Sequence, residues 1–521
     1  MTSSTSHKLS ISEKLGYSLG DAAANFVWRS SFFLPIFYTD TFGLSAQAAA
    51  ILLLVVRLTD GVTDIIMGAA ADRTNSRHGK FRPWILWSAP VLGLFLALVF
   101  TTPNFSDTGK LIYAYIIYFG LTLAYTANNV PYGALMGVMT SSVKERASLS
   151  AYRFAGAFGG GLLVMGLLNR LVSEFGQGND AVGYQRTMMV FAVLLCVFCF
   201  ITFKTTNERI KQKTRVQGSF RDELKDLCRN LPVILIPVLG LSTVLISLTQ
   251  PDWGWNIKLG ACAVCLGAFM LTAYIRGKLI TKDDKQLTST QLDLKDLLRN
   301  GPWFNLLLIG IMFGIFTVVR PSAATFYFKY VLEREDLIGV YFAITLGASF
   351  AAAIVMGYIG KFFSKKILFG AAFIFGGLFS IAIYFVPADQ VTLMMSLATV
   401  SEFFAGFMPI IFYSMLGDTA DYSEWKNKRR ATGLVYSAGT FINKTGHGLA
   451  GAIVMLVLAV YGYNVEIAST IQDSLEGIKL LMSMIPAGFC AIGALLVLIY
   501  PLTGEKMAKI EQELRVQREQ S

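Results

Sequence analysis

Two carboxylates and an arginine interrupt a long apolar segment near the start of the chain. Within the run 46–70 stand Arg57, Asp60 and Asp64. Residues four apart share one face of an α-helix, so Asp60 and Asp64 would lie side by side, with Thr63 next to them. A charge at the centre of a membrane helix costs about 2.5–3.5 kcal/mol, and like charges this close repel each other. A bound cation removes that repulsion, so the motif predicts a cation site within a bilayer and hence transport.

The composition is that of a membrane protein. The chain has 521 residues, of which 54% are hydrophobic and 15% are charged, and soluble proteins carry about 25% charged residues. A net charge of +11 could indicate nucleic-acid binding, but the basic residues cluster in short segments between apolar runs, as the positive-inside rule requires. The 3 histidines are scattered, and no P-loop, dinucleotide or nucleophile-elbow motif is present. We therefore expect neither an enzyme nor a cofactor.

The apolar runs predict an all-α polytopic membrane protein, because a spanning helix needs about 20 such residues. Six runs come early, at 16–38, 46–70, 84–101, 111–138, 151–173 and 186–203. Six come late, at 303–331, 336–360, 366–385, 391–416, 434–462 and 478–502. An extra pair at about 232–249 and 257–275 gives fourteen spans, or twelve if that pair lies at the membrane surface. The predicted domains are an N-terminal bundle (1–210), a central segment with the extra pair (211–300), a C-terminal bundle (301–504) and a short tail (505–521).

The basic residues also predict the orientation. Lys and Arg occur in the loops at 72–83, 144–146, 204–229, 276–299, 361–366 and 426–430, and are absent from those at 39–45, 174–185, 386–390 and 463–477. Basic loops remain in the cytoplasm. We therefore expect both termini in the cytoplasm of a cell whose inner membrane holds the protein.

Polar side chains recur at helical spacing inside several spans and are candidates for binding a substrate. Within the membrane, cations outnumber acids, and an unbalanced cationic cavity favours an anionic guest such as a carboxylate. For single residues, packing between helices or extension of a long side chain to water remains the alternative. Asp21, in the first span, has the alternative of a half-wet place at the interface. The candidates are Asn25, Trp28, Arg29, Tyr125, Asn129, Arg153, Arg320 and Lys444.

Several short motifs follow one another in a distinctive order. They are RxxDxxxD at 57–64, DRTxxRxGKxRP at 72–83, NVPY at 129–132, KER at 144–146, GDxxDYxEWK at 417–426 and RRxTG at 429–433. Together they resemble the glycoside–pentoside–hexuronide:cation symporter family of the major facilitator superfamily, over nearly the whole chain except 232–275. The resemblance implies a major facilitator fold, in which two six-helix bundles give alternating access to a central sugar site.

The resemblance also implies residue roles. The cation ligands would be Asp60, Asp64, Thr63 and Thr126. An oxygen cage with two carboxylates suits Na⁺, whereas H⁺ needs only one carboxylate that titrates; we expect no other metal. Sugar-binding positions of the family match Asn25, Asn129, Arg153 and Lys444, where the first two replace acids.

The loss of these acids and the presence of Arg29 make the cavity more positive, so we expect an anionic glycoside such as a hexuronide or uronic-acid oligosaccharide. Trp28 and Tyr125 would stack on sugar rings. A neutral oligosaccharide, or a lysophospholipid or other amphiphile, is the alternative substrate. We expect the sugar, the cation and the lipid bilayer to be the partners of a functional monomer, without nucleic acid.

A last group of charges lies in the loops predicted to be cytoplasmic. Ion pairs between them would close an inner gate, and solvated pairs are individually weak enough to open again. The alternative is the positive-inside bias alone, which explains the basic residues and not the acidic residues among them. The predicted gating residues are Asp72, Arg73, Arg77, Lys80, Asp418, Asp421, Arg429 and Arg430.

Overall fold

The computed structural model describes residues 8–74, 76–140, 143–209, 299–360, 362–427, 432–464 and 468–520, with short pieces between 247 and 296. Across these residues the regular elements are helices, and the one β-bridge joins Ser76 to Gly79. Ten helices in this part of the chain are long and apolar enough to cross a membrane. The predicted all-α, multi-pass membrane protein is confirmed. Of the expected extra pair, the first run (232–249) lies outside the described residues except for Ser247, whereas the described residues of the second run (260–261, 263–268 and 270–272) are helical.

The first six long helices follow the predicted spans closely. They are α1 (Ile11–Ser30), α2 (Ala46–Arg73), α3 (Arg82–Val99), α4 (Asp107–Met139), α5 (Val143–Gly176) and α6 (Asp180–Thr205). A capping box starts α1, because Ser10 accepts from the Glu13 amide and the Glu13 carboxylate accepts from the Ser10 amide, which satisfies two backbone donors. Beyond Ser30 the chain continues helically through short turns to Thr41, so the predicted first span at 16–38 includes this irregular end.

The later helices also match the predicted runs, with one interruption. They are α7 (Gly301–Phe326), α8 (Ile338–Ile359), α9 (Lys365–Tyr384), α10 (Val391–Asn427), α11 (Thr432–Val460), α12 (Ala468–Met482), α13 (Met484–Leu498) and α14 (Gly504–Gln520). The last predicted span, 478–502, is broken at Ser483, whose φ and ψ are −131° and −79°. Ser380 donates to the Ser483 carbonyl at 2.8 Å. A break inside a membrane helix is tolerated when neighbours satisfy the freed backbone groups in this way.

The chain divides into two compact units. The first comprises residues 1–224 and 334–346, and the second comprises 225–333 and 347–521. The first unit therefore holds α1–α6 and the first turns of α8. The expected domain boundaries near 210 and 300 remain predictions, because the residues around them lie largely outside the described part of the chain.

Glycines allow α1 and α5 to pack closely. A Cβ on Gly156 would approach the Ser18 carbonyl oxygen to 2.1 Å, and one on Gly160 would approach the Ala22 carbonyl oxygen to 2.4 Å. Only residues without a side chain fit at such a contact. This α1–α5 seam brings the polar side chains of the two helices together.

The charged tail forms α14, which packs against the other helices of the second unit. Met507, Ile510 and Leu514 are buried in its hydrophobic core. At the same contact, the indole of Trp425 on α10 donates to the Glu513 carboxylate at 2.5 Å. An amphipathic helix with one apolar stripe is expected to bury that stripe in this manner.

Candidate cation and substrate sites

Asp64 of α2 and Thr126 of α4 are joined directly. The Thr126 hydroxyl donates to Oδ1 of Asp64 at 2.9 Å, and Thr126 is only 2% exposed. Thr63 is half-buried beside Asp64, and the helix is continuous through Asp60, one turn earlier. The side chains of Asp60 and Arg57 lie outside the described residues. Carboxylate and hydroxyl oxygens are ligands that hard cations prefer, so this pair can form part of an oxygen cage.

Arg153 forms an ion pair with Asp21 across the α1–α5 seam. Arg153 Nε lies 3.3 Å from Asp21 Oδ2, and the two side chains are 30% and 11% exposed. The alternative of a half-wet Asp21 is therefore excluded: the carboxylate is buried and its charge is compensated. A charge pair shielded from water interacts far more strongly than a surface pair. Arg153, which the sequence analysis took as part of a positive cavity, thus has an internal counter-ion in Asp21.

Two stacked tyrosines pack against this ion pair. The rings of Tyr17 and Tyr132 stack with centroids 4.6 Å apart. Each hydroxyl donates to the backbone carbonyl of the other residue, at 2.7 Å from Tyr132 and 3.3 Å from Tyr17. The Arg153 guanidinium lies over the Tyr132 ring, 5.4 Å from its centroid. These contacts fix the plane of the ring that faces the guanidinium, and cation–π attraction holds Arg153 there.

The other α1 candidates continue along the same face of the helix. Asn25 is half-buried, and its amide donates to the Asp21 carbonyl at 2.9 Å. Trp28 and Arg29 are half-buried in the next turn. The Arg29 guanidinium lies 5.6 Å from the Phe32 ring centroid, and its Nε passes within 3.2 Å of the position that a Cβ on Gly161 would take. Arg29 and Arg153 therefore both border the seam, within one unit.

The α4 candidates divide into accessible and buried groups. Tyr125 and Asn129 are half-buried. Their neighbour Asn128 is buried, and its amide donates to Ser88 Oγ at 2.9 Å and to the Ile85 carbonyl at 3.3 Å. Asn128 thus joins α4 to α3, whereas Tyr125 and Asn129 keep accessible surface.

The second unit contains the two remaining substrate candidates. Arg320 is 1% exposed; its guanidinium donates to Ser401 Oγ at 2.8 Å and lies 5.0 Å from the Phe316 ring centroid. Within this unit the described contacts of Arg320 are those of a side chain packed between α7 and α10. Lys444 is half-buried on α11.

Two of the predicted gating residues, Asp418 and Lys80, have described partners inside their own units. Asp418 accepts two hydrogen bonds from Lys365, at 2.6 and 2.9 Å. The Glu208 carboxylate accepts the backbone amides of Lys80, Phe81 and Arg82, at 2.8, 2.8 and 3.0 Å. Gly79 makes this approach possible, since its φ is +103° and a Cβ there would overlap the carboxylate. Arg77 is exposed and Asp421 half-buried, while Arg429, Arg430 and the side chains of Asp72 and Arg73 lie outside the described residues.

Sequence reasoning underrated Asp21 and Tyr17 and left them out of the candidate site. The signal was present, because Tyr17, Asp21 and Asn25 follow at four-residue spacing on α1, which places them on one helix face. The pairing with Arg153 depends on a contact between distant segments, and no spacing within α1 predicts it.

Comparison with known proteins places this geometry in context. A family described as "MFS/sugar transport protein" matches residues 16–251 and 233–504, so the resemblance extends through the stretch 232–275, which we expected to fall outside it. The chain is 31% identical to the "Putative glycoside/cation symporter YagG" of Escherichia coli (strain K12), over 97% of this chain and 95% of that protein.

Two further relatives have named sugars. The chain is 28% identical to the "Isoprimeverose transporter" of Lactiplantibacillus pentosus, over 98% of this chain and 91% of that protein. It is 27% identical to the "Glucuronide carrier protein homolog" of Escherichia coli (strain K12), over 96% and 94%. A solved proton dependent oligopeptide transporter superposes with a TM-score of 0.62 at 14% identity, covering 93% of this chain and 98% of that one. This last likeness concerns the fold alone. The expected major facilitator fold is confirmed by the match to the MFS/sugar transport protein family together with the helical structure.

Proposed function

We propose that this chain, which belongs to the MFS/sugar transport protein family, is a cation-coupled symporter of an anionic glycoside such as a hexuronide. The observation that supports the substrate is the position of Arg29 and Arg153, which both border the α1–α5 seam. Arginine pairs well with carboxylate, because its planar guanidinium can donate two parallel hydrogen bonds. The half-buried amides and aromatic rings nearby are suited to sugar hydroxyls and sugar faces.

The coupling site that we propose is built around Asp64 and Thr126. Their hydrogen bond brings a carboxylate and a hydroxyl together inside the membrane. Asp60, one helical turn away, would supply a second carboxylate. Two carboxylates with neutral oxygens favour Na⁺ as the coupling ion, and H⁺ is the alternative.

A neutral glycoside is the second candidate substrate, and one observation favours it. Asp21 already compensates the charge of Arg153, so the excess of positive charge near the seam is smaller than the sequence indicates. The relative named for isoprimeverose is as similar to this chain as the relative named for glucuronide. The charge of the substrate is therefore the question that the first experiment must decide.

That experiment measures uptake into proteoliposomes of a radiolabelled uronic-acid disaccharide beside a neutral disaccharide, with an inward gradient of Na⁺, of H⁺ or of neither. We expect Na⁺-driven accumulation of the acidic sugar alone, and its loss in Arg29→Gln. Arg170→Gln is the matched control, because Arg170 is an exposed arginine at the end of α5 that pairs with Glu174. Uptake of only the neutral sugar would replace the first candidate by the second. Uptake of neither sugar would contradict both, and lysophospholipids would be tested next.

We further propose that both termini face the cytoplasm and that the monomer is the functional unit. The distribution of basic loops supports the orientation. Fusing a reporter that is active only in the cytoplasm to residue 521 tests the position of the C-terminus, and an inactive fusion would contradict it.

Uptake by vesicles that each hold a single copy of the protein tests whether the monomer is the functional unit.

A further inference from the structure

We propose that Asp21 is a positioning residue for Arg153 and that it determines how strongly the transporter prefers an anionic sugar over a neutral one. This inference rests on the proposed function, because it concerns the substrate site of the same transporter. It adds a residue that contacts no sugar in our assignment and acts through Arg153.

The first argument is the unequal burial of the two partners. The Arg153 side chain is 30% exposed, whereas that of Asp21 is 11% exposed. A ligand can therefore reach the guanidinium, while the carboxylate stays behind it. In this arrangement Arg153 meets the substrate, and Asp21 sets the charge and direction of Arg153.

The second argument is the way in which the pair is held. Asp21 approaches the Nε side of the guanidinium, and the Tyr132 ring covers one of its faces. The ring of Tyr17 stacks on that of Tyr132, and both hydroxyls are bonded to backbone carbonyls. An arginine constrained on one edge and one face has few other orientations, so it is preorganised for a ligand on its remaining side.

The third argument is electrostatic. Asp21 occupies the place of a carboxylate ligand of Arg153, so a substrate carboxylate meets a pair with no net charge instead of an isolated cation. An incoming anion must share the guanidinium with Asp21, whereas a neutral sugar only adds hydrogen bonds to it. Removing the Asp21 charge should favour the anion selectively, because like charges that are close and shielded repel each other.

Asp21→Asn tests both parts of the proposal, with Asp21→Glu and Ser18→Ala as comparison variants. Ser18 lies one turn before Asp21 at the same seam, and its hydroxyl bonds within α1, to the Leu15 carbonyl. Ser18→Ala therefore reports any general disturbance of the seam. Asp21→Glu keeps the charge and should restore the behaviour of the native protein if the charge is what matters.

The first readout needs no sugar. Phenylglyoxal modifies arginine, and mass spectrometry of the peptide with Arg153 gives the rate at that residue. We expect the rate to rise several-fold in Asp21→Asn, and to stay at the native value in Ser18→Ala and near it in Asp21→Glu. An unchanged rate in Asp21→Asn would show that Asp21 does not hold Arg153 and would overturn the positioning role.

The second readout is transport in proteoliposomes. In Asp21→Asn we expect the KM for the acidic sugar to fall about three- to tenfold relative to that for the neutral sugar, with a lower maximal rate because Arg153 is less well oriented. A parallel change for both sugars would overturn the selectivity role. If the native protein transports neither sugar, the proposed function fails together with the selectivity role, and the labelling rate still decides whether Asp21 positions Arg153.

Discussion

Thr126 of α4 donates its hydroxyl hydrogen to the Asp64 carboxylate of α2 at 2.9 Å. Thr126 is buried and Asp64 is half-buried, so the bond lies away from bulk water, where an unmatched carboxylate would be costly. The two residues are 62 positions apart in the chain. Their contact gives the proposed cation site one ligand from each of two helices, and it makes the hydroxyl of Thr126 a specific target.

Replacing Thr126 by Val tests that hydroxyl. We expect the Na⁺ concentration for half-maximal uptake to rise about tenfold, since a ligand and a hydrogen bond worth about 1 kcal/mol are lost together. Thr126→Ser should keep most of the affinity. The control is Thr122→Val, one turn earlier on α4, because the buried Thr122 hydroxyl bonds within its own helix, to the Phe119 carbonyl at 2.8 Å. Equal Na⁺ dependence in Thr126→Val and Thr122→Val would remove Thr126 from the site.

Gly161 and Gly159 on α5 provide a matched pair for testing Arg29. A Cβ on Gly161 would lie 3.2 Å from Arg29 Nε and 3.3 Å from Leu346 Cδ2, whereas a Cβ on Gly159 would have no neighbour within 4 Å among the described residues. Both substitutions by Ala gain about 1 kcal/mol in helix propensity. We expect Gly161→Ala alone to displace Arg29 and to raise the KM for the acidic sugar about threefold or more. A similar KM in the two variants would show that the position of Arg29 is unimportant for the acidic sugar.

Asn128 is expected to affect stability and not substrate choice. Its buried amide joins α4 to Ser88 and Ile85 of α3. Asn128→Ala leaves the Ser88 hydroxyl and the Ile85 carbonyl without this donor, which should cost about 1–3 kcal/mol and lower the Tm in detergent. Uptake per folded molecule should keep its KM. Ser88→Ala combined with Asn128→Ala should cost less than the sum of the two single changes, and strict additivity would argue against the bond.

A pH dependence is expected at the start of α5. The hydrogen bond from Lys14 holds the pKa of the Glu145 carboxyl below its ordinary value of 4.5, and Lys14 Nζ lies 2.9 Å from that carboxylate. A carboxyl with a depressed pKa stabilises the fold at pH values above its ordinary pKa, and this stabilisation disappears as the pH falls through the depressed value. Glu145→Gln should therefore lower the Tm at pH 7 and make the Tm less sensitive to pH between about 5 and 3. Parallel Tm curves for both proteins would contradict this role.

The pattern of apolar runs along the chain was sufficient to predict where the long helices lie. The apolar runs predicted α1–α11 because the hydrocarbon thickness sets the length of a spanning helix. The apolar pattern missed the break at Ser483, because it continues across both helices. The local signal was Pro486, which has no backbone N–H to continue the helix, and Ser380 of another helix donates to the Ser483 carbonyl.

For the candidate site, the sequence identified residue types and helix faces. It placed Asp60 and Asp64 on one face, and it placed Asn25, Trp28 and Arg29 near each other, because both sets follow the helical repeat. It treated Arg153 as a cation in need of an anionic guest. The structure gives Arg153 an internal partner in Asp21, and that changes the expected charge of the cavity.

The sequence by itself determined that this is a helical membrane transporter, because hydrophobic length, charge asymmetry and the order of motifs are properties of the chain alone. Only the tertiary structure decided which polar groups neutralise one another. Asp64 meets Thr126 and Arg153 meets Asp21 because helices distant in sequence pack side by side, and in a medium of low dielectric constant such contacts decide which charges remain for a ligand.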